Sequence, residues 1–108
     1  MRPDFIAEMT LYETEAGGRR GPLIGETHRF PLFPNVNEHV GYEAVMLLHG
    51  LTPWRPGETR RVPIVVLNKE AILPDFHEGR RFWFWEGGFK GEGVVREMHW
   101  RRSPIAAE

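Results

Sequence analysis

Cysteine is absent from the 108 residues of this chain. Its absence excludes a disulfide framework, a thiol nucleophile and a thiolate metal site, so a small domain has to be stabilised by packing. Long apolar runs are also missing: nowhere do about eighteen apolar residues occur together, and the amino terminus has no uninterrupted apolar run of the signal-peptide kind. We therefore expect a soluble, cytoplasmic protein that engages no membrane.

A strong net charge is the next feature that is lacking. The 14 lysine and arginine residues nearly balance the 15 aspartate and glutamate residues, which leaves a formal charge of -1. Such a chain creates no field across the whole molecule that would attract nucleic acid, so any nucleic-acid site must be local. With 41% hydrophobic and 12% aromatic residues, the composition is that of a globular protein, and we expect residues 1–108 to form one domain.

Motifs for catalysis and metal binding are absent as well. The five histidines form no H-x-x-x-H, no H-E-x-x-H and no triad signature, and Ser103 lies in no nucleophile elbow. The chain also lacks the G-x-x-x-x-G-K-[ST] phosphate loop of nucleotide-binding proteins. We predict that the protein is not an enzyme, holds no metal or other cofactor, and binds no GTP.

Short strand patterns, separated by glycine and proline turns, make up the rest of the chain. In "DFIAEMTL" the apolar side chains Phe5, Ala7, Met9 and Leu11 recur at every second residue, which is the period of a half-buried strand. Comparable segments are "RFPLF", "EAVMLLHG", "ETRRVPIVVL", "RRFWFWE" and "FKGEGVVREMHW", the last two predicted to form a hairpin. No window shows the spacing of a helix. Six short strands separated by turns therefore predict an all-β barrel or sandwich.

Three further expectations follow from prolines, glycines and the carboxy terminus. Pro31 cannot donate to a ladder, which suggests an edge strand or a bulge. The connection 68–77, "NKEAILPDFH", is predicted to be a loop or one helical turn, and residues 99–108 a flexible tail. The glycines of the last hairpin are expected to supply positive φ angles or room for close packing; they are Gly87, Gly88, Gly91 and Gly93.

Three segments, in order, resemble the carboxy-terminal β-barrel of elongation factor Tu, the third of that factor's three domains. They are "DFIAEMTLYETEAGGRRGPL", "RPGETRRVPIVVL" and "EGRRFWFWEGGFKGEGVV", and the match covers roughly residues 4 to 98. The resemblance implies a six-stranded antiparallel closed barrel occurring as a stand-alone chain. In the family, this barrel helps to hold the T-arm of aminoacyl-tRNA and packs on the other two domains.

One function that the resemblance implies is binding of RNA, in particular tRNA, in a role linked to translation. The segments that would form this surface are "GGRRGP" and "EGGFKGEG", and their candidate RNA-binding residues are Arg19, Arg20, Glu86, Gly87 and Lys90. The chain departs from the family at two positions on the second strand: Phe30 stands where the family has a glutamine that approaches tRNA, and Pro34 where it has an arginine.

The other function is protein binding through an outward aromatic surface. Where the family pattern is Arg-Phe-Ala-Ile-Arg, this chain has Arg81, Phe82, Trp83, Phe84 and Trp85. If both phenylalanines point into the barrel, both tryptophans point outward, and such pairs are typical of interface hot spots. We predict a non-catalytic binding module that uses Arg81, Trp83 and Trp85 to engage a protein partner or a second copy. In the alternative interpretation, the connection 68–77 or the tail covers these tryptophans.

Overall fold

The computed structural model describes residues 1–101, and they form a closed barrel of six antiparallel strands. This confirms the predicted fold class. The strands are β1 (Phe5–Leu11), β2 (Thr27–Phe33), β3 (Tyr42–Leu47), β4 (Thr59–Val66), β5 (Arg81–Trp85) and β6 (Phe89–Met98). Around the barrel their order is β1-β4-β3-β2-β5-β6.

The helical content is confined to short turns. A 3-10 turn spans Thr14–Ala16, α1 spans Lys69–Ile72, and a second 3-10 turn, Leu73–Asp75, follows it directly. Of the two forms predicted for the connection 68–77, a loop or one helical turn, the structure shows the helical turn. Within residues 1–101, no helix has the length and apolar character needed to cross a membrane.

The core is built from the side chains that point into the barrel, which are every second residue along each strand. On β1 the four alternating apolar side chains, Phe5, Ala7, Met9 and Leu11, are fully buried, as the period-2 pattern predicted. Other strands contribute in the same way; their fully buried residues include Phe30, Leu32, Val62, Ile64, Phe82 and Phe84. Since full burial of a large apolar side chain contributes about 2 kcal/mol, alternation of this kind is the main source of stability.

The connection between β4 and β5 packs against one end of this core. Its residues Ile72, Leu73 and Phe76 are buried, and the Phe76 ring centroid lies 5.5 Å from that of Phe5 and 6.2 Å from that of Phe82. The connection thus closes the interior of the barrel instead of covering the outer surface of β5.

Asp4 joins the beginning of β1 to the ends of two other strands. Its buried carboxylate accepts hydrogen bonds from the Val66 amide, at 2.8 Å, and from the Lys69 ammonium, at 2.9 Å. Its main-chain oxygen accepts hydrogen bonds from the amides of His99 and Trp100. The first two residues of the predicted tail are therefore held against the barrel, whereas residues 102–108 lie outside the described part of the chain.

Pro31 lies at no bulge, because the register shifts lie in the β1–β6 and β5–β6 pairs. β2 is not an edge strand of the closed barrel, but at Pro31 its side facing β5 is unpaired, so the expectation of an edge holds locally. Pro31 pairs with Glu43 on β3, whereas the β2–β5 ladder contains only Leu32 and Phe33. The proline thus occupies the position at which pairing with β5 ends, so its missing N–H deprives that ladder of no hydrogen bond.

Candidate functional site

The outer surface of β5 is aromatic. Phe82 and Phe84 are fully buried, whereas Trp83 and Trp85 are half-buried on the opposite side of the strand. The predicted inward and outward directions are therefore confirmed. With Phe33 of β2 and Phe89 of β6, these tryptophans form a surface that we call the aromatic face.

Three rings of the aromatic face contact one another. Phe33 is paired with Trp83 in the β2–β5 ladder, and its ring centroid lies 5.3 Å from that of Trp85. The Phe89 ring lies 5.1 Å from Trp85 and 5.4 Å from Phe33, nearly perpendicular to both. These are the edge-to-face and tilted arrangements that aromatic pairs favour. Residues from the two neighbouring strands, β2 and β6, thus partly cover Trp85.

A β-bulge places Phe89 in this cluster. In the β5–β6 ladder Phe84 pairs with Gly91, but Trp85 pairs with Phe89, so Lys90 is an extra residue on β6. Strict alternation would direct Phe89 to the same side as Gly91, into the barrel. The extra residue reverses that direction and leaves Phe89 beside Trp85.

The loop between β2 and β3 completes a hollow next to these rings. The hollow measures about 350 Å³, and its lining consists of Phe33, Val36, Glu38, His39, Trp85 and Phe89. Gly41 leaves room for the Phe33 ring, because a Cβ at this position would come within 2.6 Å of that ring. The aromatic face therefore has a concave region, and it is bordered by the β2–β3 loop and not by the connection 68–77 named in the alternative interpretation.

Trp83 lies beside a charged cluster. The guanidinium carbon of Arg81 is 5.4 Å from the Trp83 ring centroid, and Arg81 also forms an ion pair with Glu92. Glu92 lies opposite Trp83 in the β5–β6 ladder and accepts a hydrogen bond from the Tyr12 hydroxyl at 3.1 Å. Burial raises the pKa of Tyr12, and the nearby Glu92 carboxylate raises it further. Arg81 is thus brought to the aromatic face as predicted, already in contact with Trp83.

The predicted RNA-binding residues lie close together at the turn between β5 and β6. Arg19 forms an ion pair with Glu86 and donates a hydrogen bond to the Gly21 carbonyl at 3.2 Å. The Lys90 ammonium donates a hydrogen bond to the Gly17 carbonyl at 3.0 Å. Arg20 is exposed nearby. Two of the three cations therefore direct hydrogen bonds to the chain itself.

His28 joins this group, although no sequence pattern indicated that it would. Its Nε2 lies 3.2 Å from a Glu86 carboxylate oxygen, and its ring stands edge-on to Phe84, with centroids 5.8 Å apart. Burial lowers the pKa of His28; the Glu86 carboxylate opposes this effect, and the Arg19 guanidinium adds to it. Within residues 1–101, no three histidine, aspartate or glutamate side chains form a group that could hold a metal ion.

The hairpin glycines have the two roles that the sequence predicted. Gly87 and Gly88, which form the turn, have φ angles of 66° and 152°. Gly91 and Gly93 allow close packing: a Cβ at Gly91 would lie 2.7 Å from the Thr10 carbonyl oxygen. Gly87, a candidate RNA-binding residue, is thus required by the geometry of the turn.

Comparison with known proteins gives no assignment. No protein-family model matches the chain, and no curated protein is significantly similar to it in sequence.

Proposed function

We propose that this protein is a non-catalytic binding module that engages a protein partner through its aromatic face. The observation that carries the proposal is the presence of four half-buried aromatic rings, on three adjacent strands, beside a hollow of about 350 Å³. They are Phe33, Trp83, Trp85 and Phe89.

The physical argument is that these rings retain apolar area which a partner would remove from water. Tryptophan is enriched at interface hot spots, where truncation of one side chain costs about 2 kcal/mol or more. Three of these rings, Phe33, Trp85 and Phe89, are also held in place before binding, because β-strands carry them and their mutual contacts restrict rotation. A fixed anchor loses little conformational entropy on association.

A protein suits this surface better than a nucleic acid does. Charged groups at its border are Arg81, paired with Glu92, and the exposed Glu38. Because the Glu38 carboxylate would repel phosphate, an apolar centre with a mixed polar border favours a protein surface.

Replacing both tryptophans with serine tests this proposal. Because the side chains point outward, we expect Trp83→Ser/Trp85→Ser to keep the barrel, measured by far-ultraviolet circular dichroism and thermal unfolding. We expect the same variant to lose the partner in affinity capture from native lysate, with and without nuclease. The control is Ile24→Ser/Leu67→Ser, which removes two side chains that are 70% and 50% exposed elsewhere.

Two results would count against the proposal. Partner capture that survives in the tryptophan variant would show that another surface binds it. Loss of the fold in this variant would show that the tryptophans are structural. A second copy as the captured partner would instead identify the aromatic face as a dimer interface, measurable by sedimentation.

The relationship to the elongation factor Tu barrel remains a proposal. A six-stranded closed barrel is compatible with that resemblance, but one fold serves many unrelated functions. The chain contains no sequence from which GTP hydrolysis would follow, so the proposed activity is binding alone.

A further inference from the structure

The hollow of the aromatic face contains a carboxylate in addition to its rings. Glu38 is exposed at the border of the hollow, and within residues 1–101 it forms no ion pair. Beside it lie the rings of Phe33, Trp85 and Phe89 and the aliphatic side chain of Val36. Aromatic faces attract cations, and a carboxylate adds a direct ionic partner.

The chain itself places guanidinium groups on rings of this kind. The Arg81 guanidinium lies 5.4 Å from the Trp83 ring centroid, and the Arg80 guanidinium lies 5.4 Å from that of Phe76. In the part of the chain that the structure describes, no cation lies over Trp85. The hollow therefore combines an aromatic surface with an acidic group. Within residues 1–101, Trp85 has no cation over its ring, whereas Trp83 has Arg81.

Arg80 lines an adjacent hollow together with Glu38. Its guanidinium, however, donates hydrogen bonds to the main-chain oxygens of Pro34, at 3.0 Å, and Arg81, at 3.1 Å, while lying over Phe76. The contacts of the Arg80 guanidinium are thus with Pro34, Arg81 and Phe76, and not with the Trp85 ring.

We propose that the hollow binds an arginine side chain of the protein partner. Its guanidinium stacks on Trp85 and pairs with Glu38, while its methylene groups pack on Val36 and Phe33. Arginine fits better than lysine because its planar, weakly hydrated group can stack and make paired hydrogen bonds at once. This inference depends on the proposed function, since it names the chemical group of the partner that the aromatic face recognises.

Nuclear magnetic resonance with small probes tests the assignment. N-acetyl-arginine amide should shift the indole N–H signal of Trp85 in a saturable manner, with an affinity in the millimolar range, roughly that of weak contacts. The citrulline analogue, which has the same shape without the charge, should bind at least about fivefold more weakly. The lysine analogue should also bind more weakly, because it cannot stack.

Two variants connect the signal to the hollow. Glu38→Gln should weaken binding of the arginine probe by roughly threefold or more, since it removes the ionic partner. Glu70→Gln, which alters an exposed acid on α1, should leave the affinity unchanged. The Trp83 indole signal serves as a reference within the same sample.

Several outcomes would overturn the assignment: no saturable shift, equal binding of the citrulline or lysine probe, or unchanged affinity in Glu38→Gln. Partner capture does not use the arginine probe, so it tests the proposed function independently of these results. If capture depends on Trp83 and Trp85 but the arginine probe does not bind, only the arginine assignment fails.

Discussion

At the scale of single residues, His28 shows how burial changes the chemistry of a side chain. It lies half-buried between the Phe84 ring and the Glu86 carboxylate. Burial disfavours the charged imidazolium and lowers the pKa of His28 below its ordinary value of about 6.5, despite the opposing effect of Glu86. The folded protein therefore binds the His28 proton less readily than the unfolded chain does.

This difference predicts how stability depends on pH. Between the lowered pKa and about 6.5, the unfolded chain holds more protons than the folded protein, so the free energy of unfolding rises with pH in this window. The contribution of His28 to the free energy of unfolding is therefore complete above about pH 6.5. It is lost as the pH falls from about 6.5 through the lowered pKa of the folded protein. Urea unfolding between about pH 5.5 and 7.5 measures the slope.

His28→Gln should reduce that slope, because glutamine does not titrate. The control is His49→Gln, since the His49 side chain is 86% exposed. An equal slope in wild type and His28→Gln would contradict the prediction. The pKa values of Glu58 and Glu97 are lowered from 4.5, so these carboxylates titrate below the window.

At the scale of elements, β6 depends on glycine to lie close to its neighbours. A Cβ at Gly93 would come within 2.5 Å of the Phe82 ring and 2.9 Å of Met9. Both are core side chains with no exposed surface. The same strand contains the bulge at Lys90 that directs Phe89 outward. Strand β6 therefore contributes both to the close packing of the core and to the aromatic face.

Gly93→Ala should destabilise the protein by about 1–3 kcal/mol, because the added methyl group displaces Phe82 or Met9 from its position. The matched control is Gly21→Ala: no atom lies within 4 Å of its added Cβ, and its φ angle is not positive. We expect that variant to be neutral or slightly stabilising. Chemical denaturation measures both, and equal stabilities would contradict the packing argument.

At the scale of the whole molecule, opposite charges are distributed evenly and paired between strands. Arg61 pairs with Glu97, Arg96 with Glu8, and Arg29 with Glu43. With a net charge of -1, the barrel has no general attraction for a polyanion. Binding to tRNA would depend on the few cations near the hairpin turn.

We therefore expect no tRNA binding at physiological salt. Arg19 and Lys90 would have to exchange their internal hydrogen bonds for phosphate contacts. A salt titration of tRNA binding checks this expectation. Affinity that is measurable at low salt and falls steeply as salt rises would support the RNA-binding alternative, because it indicates released counterions.

The sequence by itself determined the strands and the direction of most side chains. Alternation in β1 and β5 identified Phe5 and Phe82 as inward and Trp83 and Trp85 as outward, because burial on a strand follows a local period of two residues. The hairpin and its glycines were predicted for the same reason: turn geometry depends on adjacent residues.

Only the tertiary structure decided what lies beside Trp85. Phe33 reaches it through pairing between β2 and β5, which are distant in the chain, and Phe89 reaches it through a bulge that breaks the period. The proline indicated an edge or a bulge, but only the barrel shows that β2 is unpaired on one side at Pro31, where the β2–β5 ladder ends. Pairing partners, register shifts and closure arise from contacts between remote segments, and no local pattern encodes them.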